Sequence, residues 1–154
     1  MAQEREVPYG VFNYLVNIGD GGEETAFGGF SEVSGLNAEI TVAEYRNGNA
    51  PTNYVTKVPA IHKAGDVTLK RGVTGRNNLY EWLDLARSGD LSAKRAEVKV
   101  ILRSENPTET EPVVTWTLRN AMPIKWTGPT LTAKGGSDVA IEELVLAVEH
   151  IEQS

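Results

Sequence analysis

The chain has 154 residues, a length that suits one compact domain able to bury roughly two-thirds of its unfolded surface without a disulfide or a metal. It contains no cysteine, which excludes a disulfide framework, a zinc knuckle and a thiol nucleophile. The net charge of −6 argues against a nucleic-acid binder, because such proteins are ordinarily basic.

The first residues, Met1 to Glu6, are acidic and polar and no apolar run follows them, so neither a signal peptide nor a transmembrane segment is expected. The longest purely apolar run, Leu144 to Val148, is far too short to cross a bilayer. The charge is unevenly placed. Residues 1–46 carry Arg5 and Arg46 against eight acids, a net of −6; residues 57–103 carry ten bases against five acids, a net of +5; residues 138–154 carry five acids and no Lys or Arg. Such a pattern is compatible with ordinary solvated surface or with copies that stack basic surface on acidic surface.

Along the chain, alternation of apolar and polar residues dominates. Phe12 to Ile18 reads as a first strand, and Gly19-Asp20-Gly21-Gly22 as the turn that ends it. Phe27 to Val33 is a second short strand, interrupted by Ser34-Gly35. Leu36 to Arg46 puts Ala38, Ile40 and Val42 on one face and Glu39, Thr41, Ala43 and Tyr45 on the other. Asn47 to Pro51 is a loop, and Tyr54 to His62 a strand that Pro59 confines to an edge or a bulge. Asp66 to Arg71 alternates with Val67 and Leu69 inward.

The period then changes. Leu79, Trp82, Leu83 and Ala86 fall at helical spacing and predict one amphipathic helix over about Gly75 to Arg87, with Thr74 as its N-cap and Gly89 as its stop. Strands resume at Ala96 to Arg103 and Val113 to Asn120 around a polar tip, Ser104 to Glu109. A short strand, Pro123 to Trp126, and a turn at Gly128-Pro129 precede one long strand, Asp138 to Ile151, apolar on both faces. The fold class is therefore mainly β: an antiparallel β-barrel or rolled sandwich with one flanking helix. No internal repeat or linker divides residues 1–154, so a single domain is expected.

Catalytic arrangements are not found. His62 and His150 each lie in a strand pattern with no ligand at metal spacing. Ser31 and Ser34 are flanked by glycines at the wrong offsets for a nucleophile elbow. Glu142 and Glu143 are strand neighbours and point to opposite faces. The glycines at 19–22 lack the Lys-Ser/Thr of a phosphate loop, and Asp20, Glu23 and Glu24 lack the spacing of a calcium loop. Pro107 excludes glycosylation at Asn106. No enzyme, cofactor or metal is expected.

Four ordered stretches carry a resemblance. They are Phe30-Ser31-Glu32-Val33-Ser34-Gly35-Leu36 with Glu44-Tyr45-Arg46-Asn47-Gly48; Lys57-Val58-Pro59 leading to Val67–Thr74; Leu79-Tyr80-Glu81-Trp82-Leu83; and Leu118–Trp126 continuing through Gly128-Pro129 to Ala140–Ala147. Together they resemble the tube proteins of contractile phage tails and phage-derived injection systems, related in fold to the type VI secretion tube protein. Met122 departs from the pattern, where relatives often carry an aromatic residue; residues 1–10 and 104–112 lie outside it.

The resemblance implies a structural subunit that forms hexameric rings, stacked into a hollow tube in a virion tail or in a particle assembled in the bacterial cytoplasm. Its implied partners are further copies of itself, a sheath protein, baseplate and tail-terminator or cap proteins, and DNA or protein cargo in transit. It further implies that Glu39, Thr41 and Ala43 face the lumen, with Ile40 and Val42 packed behind, and that acidic side chains there repel phosphate. Asn47, Gly48, Asn49 and Asn53 would form a loop between rings or subunits. Phe30, Leu36, Trp82, Trp126 and Leu144 would be packing positions. A β-barrel binding or adaptor module, monomeric or oligomeric, is the competing reading, since open strand edges would serve it too.

Overall fold

The structure, a computed structural model, describes residues 5–19, 24–26, 29–136 and 138–154. The expected turn at Asp20 to Gly22, the start of the strand expected from Phe27, and the candidate cation ligands Asp20 and Glu23 lie outside the described residues.

The strands in chain order are β1 Tyr14–Gly19, β2 Glu24–Ala26, β3 Glu32–Ser34, β4 Ala38–Tyr45, β5 Thr56–Ala64 and β6 Val67–Gly72. Helix α1, Asn78–Arg87, and a 3-10 turn, Leu91–Ala93, follow, then β7 Arg95–Arg103, β8 Pro112–Thr127, β9 Ile141–Ala147 and β10 His150–Gln153. All pairings are antiparallel, and the larger sheet runs β2-β1-β7-β8-β9-β6-β3, with β10 also on β8. Among the described residues its path runs from β2 to β3, a mainly β, antiparallel architecture with one helix, as expected.

The roll is made by β8. Its first part pairs with β7 as far as Arg95↔Ala121, and its second part pairs with β9 from Met122↔Ala147 to Thr127↔Glu143. Between the two, Asn120 takes φ 53°, a left-handed conformation that asparagine tolerates better than other side-chain-bearing residues. The two strands expected at 113–120 and 123–126 are thus one strand with a bend. The single long strand expected from Asp138 divides instead. It starts at Ile141, breaks at Val148 and Glu149, and resumes as β10 in the same register, with Ala147 opposite Met122 and His150 opposite Arg119. The break lies across from the bend, so the two strands turn together.

The core fills the roll. Val16, Ile18, Val67, Leu69, Val98, Leu118, Leu144 and Leu146 are buried, and α1 adds Leu79 and Trp82. The Trp82 indole N–H donates to the Ala93 carbonyl at 2.6 Å, which satisfies its one polar atom. Leu85 joins Ala86 against this core, where the sequence pointed to Leu83. The helix does not begin at Thr74. Gly75 has φ +84°, outside helical space, and the N-cap is Asn77, without a side-chain cap bond. Gly89, at φ +81°, closes the helix by donating to the Ala86 carbonyl at 3.2 Å.

Charges segregated in the sequence meet across strands. Lys70 on β6 lies 3.1 Å from Glu32 on β3 and 3.3 Å from Glu143 on β9, directly opposite both in register. Beside it, Arg71 contacts Glu142 at 2.6 Å with side chains only 4% and 8% exposed. A basic strand from the middle of the chain is thereby held between strands from its two acidic ends.

Candidate assembly ribbon

Two strands stand apart from the roll. β4 and β5 pair only with each other and form a separate two-stranded sheet. A two-stranded ribbon gains little stability in water on its own. The ribbon leaves the body through Gly35, at φ +88°, where an added Cβ would fall 2.1 Å from the Asp66 carbonyl oxygen. At the same place the Gly65 N–H donates to the Asn37 carbonyl at 3.4 Å. A groove of about 440 Å³ separates the ribbon base from β10 and is lined by Ala38, Ile40, His62, Ala64, His150 and Ile151, among others. The two histidines, unrelated in sequence, therefore share one groove. Among the described residues no group of three or more His, Cys, Asp or Glu is placed to hold a metal.

Register defines the two faces. Ala38, Ile40, Val42 and Glu44 stand opposite Ala64, His62, Pro59 and Lys57; Glu39, Ala43 and Tyr45 stand opposite Lys63, Val58 and Thr56. Ile40 and Val42 are 53% and 55% exposed in the single chain. Glu39 and Ala43 are exposed on the other face. That face is not simply acidic, because Glu39 sits directly across from Lys63; cross-strand pairing balances what β4 alone suggested. Thr41 is the one half-buried residue of β4, and its hydroxyl is engaged with the Ile61 backbone.

Asn47, Gly48, Asn49 and Asn53 lie in the exposed loop joining the strands. Arg46 orders this loop by donating to the Ala50 carbonyl at 3.5 Å and the Thr52 carbonyl at 3.2 Å, and the Tyr45 hydroxyl donates to the Asn47 side chain. Neither Arg46 nor Tyr45 was singled out in the sequence for this role; an Arg followed within six residues by Gly and Pro was the available signal. Phe30, Leu36 and Trp126 pack against the core that includes Trp82 and Leu144. Trp126 also donates to Glu142 at 3.2 Å and meets the Tyr80 ring edge-on at 5.4 Å.

The ribbon is exposed along most of both strands, and comparisons with known proteins bear on its use. The family of the T4-like virus tail tube protein gp19 matches residues 10–152. A structure of the anti-feeding prophage cap (AFP tube terminating cap) matches with TM-score 0.81 and 26% identity over 100% of this chain and 95% of that one. The sheath–tube complex of the extracellular contractile injection system PVC, in its extended state, matches with TM-score 0.77 and 27% identity over 97% of this chain and 93% of that one. A type six secretion system protein shares the fold, with TM-score 0.54 and 10% identity over 93% of this chain and 83% of that one. No curated protein matches the sequence. The match across residues 10–152 and the rolled sheet with its free ribbon together place the chain in the T4-like virus tail tube protein family, whose members are structural subunits of tail tubes.

Proposed function

We propose that this chain is the single-domain subunit of the inner tube of a contractile tail or injection system, built as hexameric rings stacked into a hollow conduit. The observation that carries the reading is the β4–β5 ribbon, which among the described residues has no strand paired on either outer edge and has both faces exposed. Open edges of this kind invite pairing with another chain, and in a ring each ribbon can be completed by its neighbours. Ring contacts close by rotation, whereas stacking contacts stay open and extend the tube.

In this arrangement the face carrying Glu39 and Ala43, with Thr41 between them, lines the lumen. The face carrying Ile40 and Val42 packs outward against the ring, beginning at the groove beside β10. The loop with Asn47, Gly48, Asn49 and Asn53 reaches the adjacent ring or subunit. A sheath surrounds the tube, a baseplate and a terminator or cap close its ends, and DNA or protein cargo moves through without specific binding. Support comes from the sheath–tube and cap structures matched above. The role is mechanical rather than enzymatic. The particle is a virion tail or an assembly in the bacterial cytoplasm; no helix among the described residues is long and apolar enough to cross a membrane.

Electron microscopy of the purified protein tests the reading. Six-fold rings or stacked tubes are expected. A monodisperse monomer at high concentration, unchanged when a matched baseplate is supplied, overturns it.

A further inference from the structure

The ribbon carries a defect in its ladder. Between Ile40↔His62 and Val42↔Pro59, β4 has one residue, Thr41, while β5 has two, Ala60 and Ile61. This is a β-bulge, which bends its strand and raises the local twist. A bulge leaves backbone groups without ladder partners, and Pro59 beside it has no N–H to offer. The Thr41 side chain fills the gap. Its Oγ1 accepts from the Ile61 N–H at 3.0 Å and donates to the Ile61 carbonyl at 3.0 Å. One hydroxyl thus takes both backbone bonds of the bulged residue, and a side chain without a donor and acceptor at that point cannot.

We infer that Thr41 is a positioning residue for tube assembly: its hydroxyl fixes the bulge, and the bulge sets the curvature that lets ribbons close around a ring. The inference rests on the tube reading above. It assigns Thr41 a task other than facing cargo, because its polar atom is spent on the backbone of β5. The ribbon is a sheet separate from the one that encloses the core, so loss of the hydroxyl is expected to act on assembly rather than on the core.

The test compares the wild-type chain with T41V, which keeps the shape and loses the hydroxyl, and T41S, which keeps the hydroxyl. Two ordinary hydrogen bonds correspond to a roughly tenfold to hundredfold change in association. T41V is expected to lose tube yield by that factor, or to give rings of altered diameter, with an unchanged thermal midpoint for the monomeric body; T41S is expected to restore wild-type tubes. T41V tubes of wild-type yield and diameter overturn the inference, as does a lowered melting midpoint of the body, which would make Thr41 a general stabiliser. Failure of the wild-type chain itself to form rings strikes the tube reading instead.

Discussion

Single carboxylates show how local bonding sets titration. Glu105, at the β7–β8 tip, receives Arg5 at 2.9 and 3.0 Å and the Gly10 N–H. The Arg5 hydrogen bonds foremost, then the Gly10 N–H, hold its carboxyl at about 2, down from 4.5. Arg5 also lies 3.6 Å from the Tyr9 ring centre, so one side chain ties the N-terminal segment to the tip. The folded value lies below the unfolded one, so this contact stabilises the segment fully above pH 4.5 and is lost as the pH falls toward 2. An NMR titration of the Gly10 amide should inflect near 2; an inflection at the ordinary carboxylate value refutes the contact. Glu105→Gln should speed tryptic cleavage after Arg5 at neutral pH. None of this was legible in the sequence, because residues 5 and 105 come together only through the pairing of β1 with β7. The helix cap failed for a related reason: Thr74 has the right chemistry, but its successor Gly75 takes a left-handed conformation.

At the scale of elements, the Arg71–Glu142 pair joins four of them. It links β6 to β9 in register; Glu142 accepts from Trp126 of β8, and Arg71 donates to the Arg76 carbonyl and the Asn78 side chain at the start of α1. The helix start is thus ordered from the sheet, which accounts for an N-cap with no side-chain bond of its own. Buried charges cost heavily when one partner is removed. Arg71→Met or Glu142→Leu alone should destabilise the monomer by about 3–5 kcal/mol, and the double variant should recover at least half of that. Urea denaturation of the four proteins measures it; additive losses would show that the two side chains do not act as a pair. Most elements could be read from period alone, and β6 matched its alternation, with Val67 and Leu69 fully buried. Periodicity could not show that the strands at 113–120 and 123–126 were continuous, because a bend at one asparagine leaves the apolar pattern on both sides intact.

For the whole molecule, the segregated charge has two uses. Part is consumed inside the chain, by Lys70 with Glu32 and Glu143, Arg71 with Glu142, and Lys94 with Glu149. Salt should therefore weaken stacked tubes less than the sequence totals suggest, since those pairs hold the subunit rather than the stack. The apolar balance points outward. Ile40 and Val42 on one face of the ribbon are exposed in the single chain, as are Val58, opposite Ala43 on the other face, and Ile61 at the bulge, and exposed apolar surface calls for a covering partner. Which face is covered separates packing from lumen. Val42 and Ala43 are sequence neighbours on opposite faces of β4. Covering the exposed part of a valine is worth about 1 kcal/mol, and a lysine in its place would carry an ammonium into the contact of every subunit in the ring. Val42→Lys should therefore abolish rings, whereas Ala43→Lys should leave them intact and add a circle of positive charge to the channel wall. Electron microscopy of both variants reads the result directly. Rings from Val42→Lys and none from Ala43→Lys would invert the two faces, turning Ile40 and Val42 toward the lumen and Glu39 into the subunit contact.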